Sequence, residues 1–322
     1  MSKVRTVLGD LDPARLGRVN YHEHLFQASP LLVGDELDDE ASSREEARLL
    51  ATSGFDAMVD ATPIGLGRSP EAVARISLAT GLGVIATTGA HREGHYPAAH
   101  WLRTLPAEPR GRLFLADLTV GMPRHDGDPA PGDDEHGLAA GPDGAPVRAG
   151  LLKAGIGYWS ITTFERITLD AVALAHAATG APVMVHLEFC TAAHEVLDLL
   201  AAAGVPAHRV VLAHADRDPN PALHLELAGR GAMLGYDGMA RPRTRSDAEL
   251  LDLTEAVVSG GGGDHILIGG DVARRSRYSA YGGMPGLAYL GTRYLPQLRT
   301  RIGADLVEAM LTRNAQRFLT WS

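Results

Sequence analysis

Short apolar runs alternate with longer amphipathic stretches over most of the chain. Residues 83–89, Gly-Val-Ile-Ala-Thr-Thr-Gly, are apolar or β-branched almost throughout, the pattern of a strand covered on both faces. Similar runs over 55–61, 151–154, 182–186, 209–214, 232–236 and 265–271, and a Gly-punctuated one leading from Leu16 into His22 and His24, predict seven more strands. Between them the hydrophobic period lengthens to that of a helix. Helices are predicted over 39–53, with Ser42 and Ser43 as the cap and Gly54 as the stop, and from Ser69 to Gly81 with Pro70 in first position. Others are predicted over 112–119, 162–179, 191–203, 221–228 and 246–258. The 112–119 segment fits a buried strand as well as a helix, and is read as a helix.

From 121 to 150 the composition turns to Gly, Pro, Asp and His, which predicts an exposed loop or small excursion within the domain. The glycines at 260–263 precede a strand and carry no Lys-Ser/Thr, so they form a connecting loop and not a phosphate cradle. Eight β–α units without a linker predict one domain over residues 1–322, a (β/α)8 TIM barrel with its active site at the C-terminal ends of the strands. A doubly wound sheet is the alternative architecture.

Composition narrows the partners. The net charge is −9 with no basic block, which excludes the electrostatic footprint of a nucleic-acid or acidic-membrane binder and leaves a small-molecule substrate. Cys190 is the only cysteine, so no intrachain disulfide forms, and it reads as a small buried apolar residue. No long apolar run follows Met1, so neither a signal peptide nor a membrane span is expected, and the expected location is cytoplasmic.

The polar residues that close the predicted strands form a set: His22 and His24 on the first, Lys153 on the fourth, His186 on the fifth, His214 on the sixth and Asp271 on the eighth. On a strand, His22 and His24 share a face and Glu23 takes the other. In a barrel these ends surround one site, and imidazole and carboxylate ligands suit zinc or a similar divalent transition metal. Lys153 is the odd member, because an ammonium cannot coordinate and is repelled by a cation.

The order and spacing of Tyr21-His22-Glu23-His24, Leu152-Lys153-Ala154, Val185-His186, Ala213-His214 and Gly270-Asp271 resemble the phosphotriesterase family of the amidohydrolase superfamily. Asp60-Ala61-Thr62-Pro63 and Leu311-Thr312-Arg313-Asn314-Ala315 extend the likeness to essentially the whole chain. The resemblance implies two divalent metal ions, zinc foremost, and a Lys153 carboxylated by CO2 whose carbamate bridges them. It implies His22, His24 and Asp271 on one ion, His186 and His214 on the other, a bridging hydroxide as nucleophile and Asp271 as the proton shuttle. The implied activity is hydrolysis of a carbonyl ester, a lactone foremost, with amides and organophosphate triesters as open alternatives. A protein that kept the fold for binding alone would not need Lys153, Asp271 and every ligand histidine, all of which are present. The resemblance also leaves room for a homodimer.

Two features bear on the substrate. The loop after the third strand carries His91 where relatives often have an aromatic, and the 121–150 excursion is longer than usual, so both alter the pocket wall. Arginines cluster after the last two strands, at Arg241, Arg243 and Arg245 and at Arg274, Arg275 and Arg277 beside Tyr278. Loops in these places are a frequent phosphate site in such barrels, and the guanidinium fork suits phosphate or carboxylate. An anionic substrate is therefore expected, held by Arg274, Arg277 and Tyr278 on one side of a helical turn, with Arg243 and His91 as further contacts.

Overall fold

A computed structural model describes residues 2–127 and 137–321. An antiparallel hairpin, β1 (Val4–Thr6) and β2 (Gly9–Leu11), opens the chain; the apolar pattern of so short a pair does not announce it. The barrel strands follow as β3 (Val19–Glu23), β4 (Ala57–Asp60), β5 (Gly83–Gly89), β6 (Leu151–Ile156), β7 (Val183–Leu187), β8 (Val210–Ala213), β9 (Met233–Tyr236) and β10 (Ile266–Ile268). They are paired in chain order and all in parallel. Between β10 and β3 the ring is closed by two backbone bonds, in which Gly270 and Asp271 both donate to the His22 carbonyl at 3.2 and 2.9 Å. That closure excludes the doubly wound alternative.

Side chains partition as the two-residue period demands. Val210 and Leu212 pack outwards under the helices, while Val211 and Ala213 join Ile85, Leu151, Met184 and Leu267 in a second cluster inside the barrel. Phe318 and Leu319, near the C-terminus, pack into this inner cluster. Among the described residues no helix is long and apolar enough to cross a membrane.

The seven predicted helices form, with adjustments at their ends, and three further ones follow the last strand. They are α1 (Glu40–Thr52), α2 (Pro70–Thr80), α3 (Ala107–Thr119), α4 (Thr163–Thr179), α5 (Ala193–Ala202), α6 (Pro221–Gly229) and α7 (Asp247–Ser259), with α8 (Leu295–Ile302), α9 (Ala304–Ala309) and α10 (Ala315–Leu319) after the last strand. The cap of α1 is Asp39, whose carboxylate accepts the Ser42 N–H at 2.7 Å, and not Ser42 or Ser43. Ser43 instead turns inwards to the Leu25 carbonyl. Helix α3 is indeed a helix and begins five residues before the predicted 112, since nothing in its polar first turn signals a boundary. The 121–150 excursion is only partly exposed. Met122, Ala139, Val147 and Ala149 are buried in the main core, held by the bridges Pro123 to Leu138 and Ala140 to Pro146, while residues 128–136 lie outside the described part.

Candidate metal centre

The C-terminal ends of the strands surround a cavity of about 330 Å3, and His22, His24, Lys153, His186, His214 and Asp271 all line it. A cleft of similar size, about 340 Å3, lies at the other end of the barrel beside the β1–β2 hairpin, and no histidine is among its described lining residues.

The approach of the first strand departs from simple alternation. The pairing of β3 with β4 shifts register between Asn20 and Glu23, and consecutive residues Tyr21 and His22 both reach Asp237. His22 and His24 nevertheless converge, their Nε2 atoms lying 3.7 and 3.5 Å from Asp271 Oδ1. Glu23 turns to the last strand, where it accepts the Val272 N–H at 3.0 Å and bonds Asn20. His214 stands just past β8 on left-handed backbone, φ 63°, and Asp271 likewise at φ 42°, which re-aims both side chains.

Hydrogen bonds on the far side of each ring decide which nitrogen faces the centre. Asp237 is fully buried; Oδ2 lies 3.0 Å from His22 Nδ1 and Oδ1 2.6 Å from His214 Nδ1. A carboxylate accepts only, so both Nδ1 atoms carry protons and both Nε2 atoms are bare. His24 Nδ1 lies 2.8 Å from Thr62 Oγ1, whose own proton goes to the Phe26 carbonyl, so His24 also donates from Nδ1 and its Nε2 is bare. His186 is turned the other way, with Nε2 3.0 Å from Glu188 Oε1 and a bare Nδ1.

Burial keeps His24, His186 and His214 neutral. It lowers His24 to about 4 and His214 to about 3, and puts His186 well below the ordinary histidine range. The lone pair on His214 Nε2 then meets that on His186 Nδ1 at 2.8 Å. Two lone pairs at that distance repel unless a cation takes both, so the donor set fits a divalent transition metal. Among the described residues two groups could hold an ion geometrically, His22 with His24 and Asp271, and His22 with His214 and Asp237. Because Asp237 faces the protonated Nδ1 of each histidine, it orients ligands in this arrangement and does not itself coordinate.

Lys153 lies between these sites, 1% exposed, with Nζ 3.3 Å from His22 Nε2. Burial lowers its ammonium to about 8, which makes the free amine accessible near neutral pH. The residue is held from behind: Gly89, at φ 121°, packs so closely on the Lys153 backbone that a Cβ would collide with its carbonyl, which also accepts the Ala90 N–H. Burial alone would raise Asp271, but the Arg241 guanidinium beside it holds the carboxylate well below the usual range.

The substrate contacts named from the sequence are scattered. His91, 7% exposed, and Arg274 line the cavity. Arg243 is exposed and away from the cavity lining. Tyr278 is buried and its hydroxyl donates to the His24 carbonyl, so it supports the backbone of a ligand and does not face the cavity. Arg277 directs its guanidinium at the carbonyls of Asp271, Val272 and Ala240. The expected helical turn is a three-residue 3-10 segment, Arg275–Arg277, which separates Arg274 from Arg277.

Several residues at the site escaped sequence reasoning. Asp237 follows the apolar β9 just as Asp271 follows β10, and the same signal could have found it. Glu188 stands two residues beyond His186, where the 3-10 segment Glu188–Cys190 begins just past β7. Its carboxylate is lowered to about 2 by the His186 hydrogen bond, with Arg217 and Arg92 nearby. Arg92, Arg217 and Arg241 line the cavity with Arg274, and Arg217 bridges Glu188 and Asp271 at 3.7 and 3.6 Å.

Comparison with known proteins agrees with the barrel fold. The family model described as the phosphotriesterase family matches residues 2–123 and 133–319. A phospho-furanose lactonase of Mycoplasmopsis synoviae is 27% identical over 334 residues, covering 98% of this chain and 91% of its own. The crystal structure of a lactonase from Listeria monocytogenes superposes with a TM-score of 0.87 at 28% identity, covering 99% of both chains. That of the phosphotriesterase homology protein from Escherichia coli, complexed with phosphate in its active site, gives 0.83 at 27%, covering 96% of this chain and all of the other.

Proposed function

The chain belongs to the phosphotriesterase family, and from that premise we propose that it is a metal-dependent hydrolase that opens a lactone carrying a phosphate or carboxylate group. The observation that carries this reading is the convergence of four bare imidazole nitrogens on one cavity, with Lys153 and Asp271 between them. His22, His24 and Asp271 would hold one divalent ion, His186 and His214 a second, and Lys153, carboxylated by CO2, would be shared; zinc suits the imidazole-rich set. Such ions, when bound, lower the pKa of water and polarise the electrophilic oxygen.

The protein's own groups do the rest. Asp271, kept ionised by Arg241, accepts the proton of the attacking water and returns it to the ring oxygen as the acyl C–O bond breaks, so that lactone and water give a hydroxy acid. Asp237, Thr62 and Glu188 hold the four rings in one tautomer each. Among the described residues that line the cavity, four arginines, Arg92, Arg217, Arg241 and Arg274, stand against two carboxylates, Glu188 and Asp271, and favour an anionic substituent. The phosphate in the E. coli relative's active site and the name of the Mycoplasmopsis relative support the same choice.

The test is a hydrolysis screen of neutral and phosphorylated lactones, acyl amides and phosphotriesters, with protein of measured metal content. Fastest turnover of an anionic lactone is expected. No turnover of any lactone by protein carrying two ions per chain would refute the reading.

A further inference from the structure

Two histidines of the cavity take no part in the centre described above. His91 and His95 follow β5, both 7% exposed, with ring centroids 3.9 Å apart, and His91 stands 4.4 Å from the ring of His186. Two imidazoles stacked beside a reaction site could be packing alone, and their hydrogen bonds argue otherwise.

The backbone of His91 is pinned, its N–H donating to Tyr96 Oη at 2.9 Å while that hydroxyl donates to the Ile64 carbonyl. Its side chain accepts the Arg92 N–H at Nδ1, 2.8 Å away, with Nδ1 packed against Gly155 on β6. A nitrogen that accepts cannot carry a proton, so the proton of neutral His91 is on Nε2. His95 Nδ1 lies 2.8 Å from Ser29 Oγ, and that oxygen already accepts the Leu31 N–H at 3.2 Å. Ser29 is buried, and among the described residues its hydroxyl proton has no other acceptor, so it donates to His95 Nδ1 and the ring's proton is again on Nε2. Among the described residues the side-chain hydrogen bonds of both rings are made at Nδ1 and none at Nε2, and both rings line the cavity.

We propose that His91 and His95 are a fixed pair of Nε2–H donors that recognises oxygen atoms of the substrate on the His186 side of the cavity. The fold sets both tautomers before any ligand arrives, so the pair offers two donors and no acceptor. Adjacent hydroxyl or ether oxygens on a lactone ring satisfy both; a plain hydrocarbon ring leaves both unpaired in a largely desolvated wall. This selectivity rests on the cavity being the hydrolase site proposed above.

The probes are erythronolactone, which carries two neighbouring ring hydroxyls, and γ-butyrolactone, which has none, with the two corresponding lactams as hydrolysis-resistant counterparts. For the metal-loaded protein we read the ratio of kcat/KM for the two lactones and the ratio of Kd for the two lactams. The wild type is expected to prefer the dihydroxylated ring at least tenfold by both measures. His91→Phe and His95→Phe, which keep a flat ring and remove the donor, are each expected to cut that preference roughly tenfold, and His91→Gln, whose amide can donate, to restore part of it. A wild type without preference overturns the proposal, as does a preference that survives both phenylalanine variants, and the wild-type ratios decide even if a variant does not fold. If neither lactone nor its phosphorylated forms turn over, the hydrolase reading fails, and the lactam Kd ratio still judges the donor pair.

Discussion

His214 Nε2 and His186 Nδ1 face each other across 2.8 Å with a lone pair on each, because Asp237 and Glu188 hold the protons on the far sides of the two rings. Asp237 serves His22 in the same way, so one carboxylate orients ligands of both proposed ions. Asp237→Asn presents one acceptor and one donor where two N–H groups require acceptors, and a ring must turn. Metal affinity is expected to fall roughly 10- to 100-fold with the fold retained. Metal content after dialysis against a graded chelator checks it; undiminished retention at both positions would rule the role out.

Lys153 costs the metal-free protein stability. Its ammonium is lowered from 10.5 to about 8 by burial, a difference of about 3 kcal/mol against the unfolded chain. Lys153→Met should therefore raise the melting temperature of metal-free protein while abolishing metal uptake. The gain is full below pH 8, where folded and unfolded chains are both protonated, and disappears above about pH 10.5, where neither is. Thermal melts across that range test it, and a destabilised Lys153→Met protein at pH 7 would contradict it.

The buried neutral histidines set the acid limit. His24 at about 4 and His214 at about 3 lie below the ordinary 6.5, so between those values the unfolded chain binds protons that the folded one does not. Stability of the metal-free protein should accordingly fall as pH drops below about 6.5, by about 1.4 kcal/mol per pH unit for each such ring. Urea unfolding from pH 7 to pH 4 measures the slope; a flat profile down to pH 5 would contradict it.

Asp271→Asn removes the proton acceptor and leaves the substrate's other contacts in place. In protein that keeps both ions, kcat and kcat/KM are expected to fall together, a hundredfold or more. Steady-state kinetics on metal-analysed protein checks this, and an unchanged kcat would exclude the shuttle.

Arg274 is exposed at the cavity and forms no ion pair among the described residues, whereas Arg277 is turned to backbone carbonyls. Arg274→Ala should therefore cost a phosphorylated lactone about 1.5–3 kcal/mol in kcat/KM and its neutral analogue much less. Equal losses for the two substrates would show that Arg274 is no anchor for the anion.

The barrel was legible because each strand is an apolar run with a polar residue at its end, and in a closed ring those ends can only meet. His186 and Lys153 stand in phase with the inward-facing Met184 and Leu151, so the same two-residue period that names the strand aims the ligand. His22, His214 and Asp271 escape that period, the first through a register shift and the other two through left-handed backbone, and neither device has a sequence mark when the residue is not glycine. The arginines were harder to read. The helical-turn reading rightly set aside Arg275, which binds Asp38 and the Glu36 carbonyl, but it paired Arg274 at the cavity with Arg277, which turns to backbone carbonyls because the turn is shorter than a helix.

The bonds from Gly270 and Asp271 to the His22 carbonyl join the first barrel strand to the last, across nearly the whole polypeptide. On a ribosome adding roughly 5–20 residues per second, His22 and His24 would wait on the order of ten to fifty seconds for Asp271 to be made. The centre is thus a product of completed synthesis: a nascent chain stalled before Asp271 carries five of the six proposed ligands but has no closed ring to hold them, so the proposed metal capture would have to wait for the last strand.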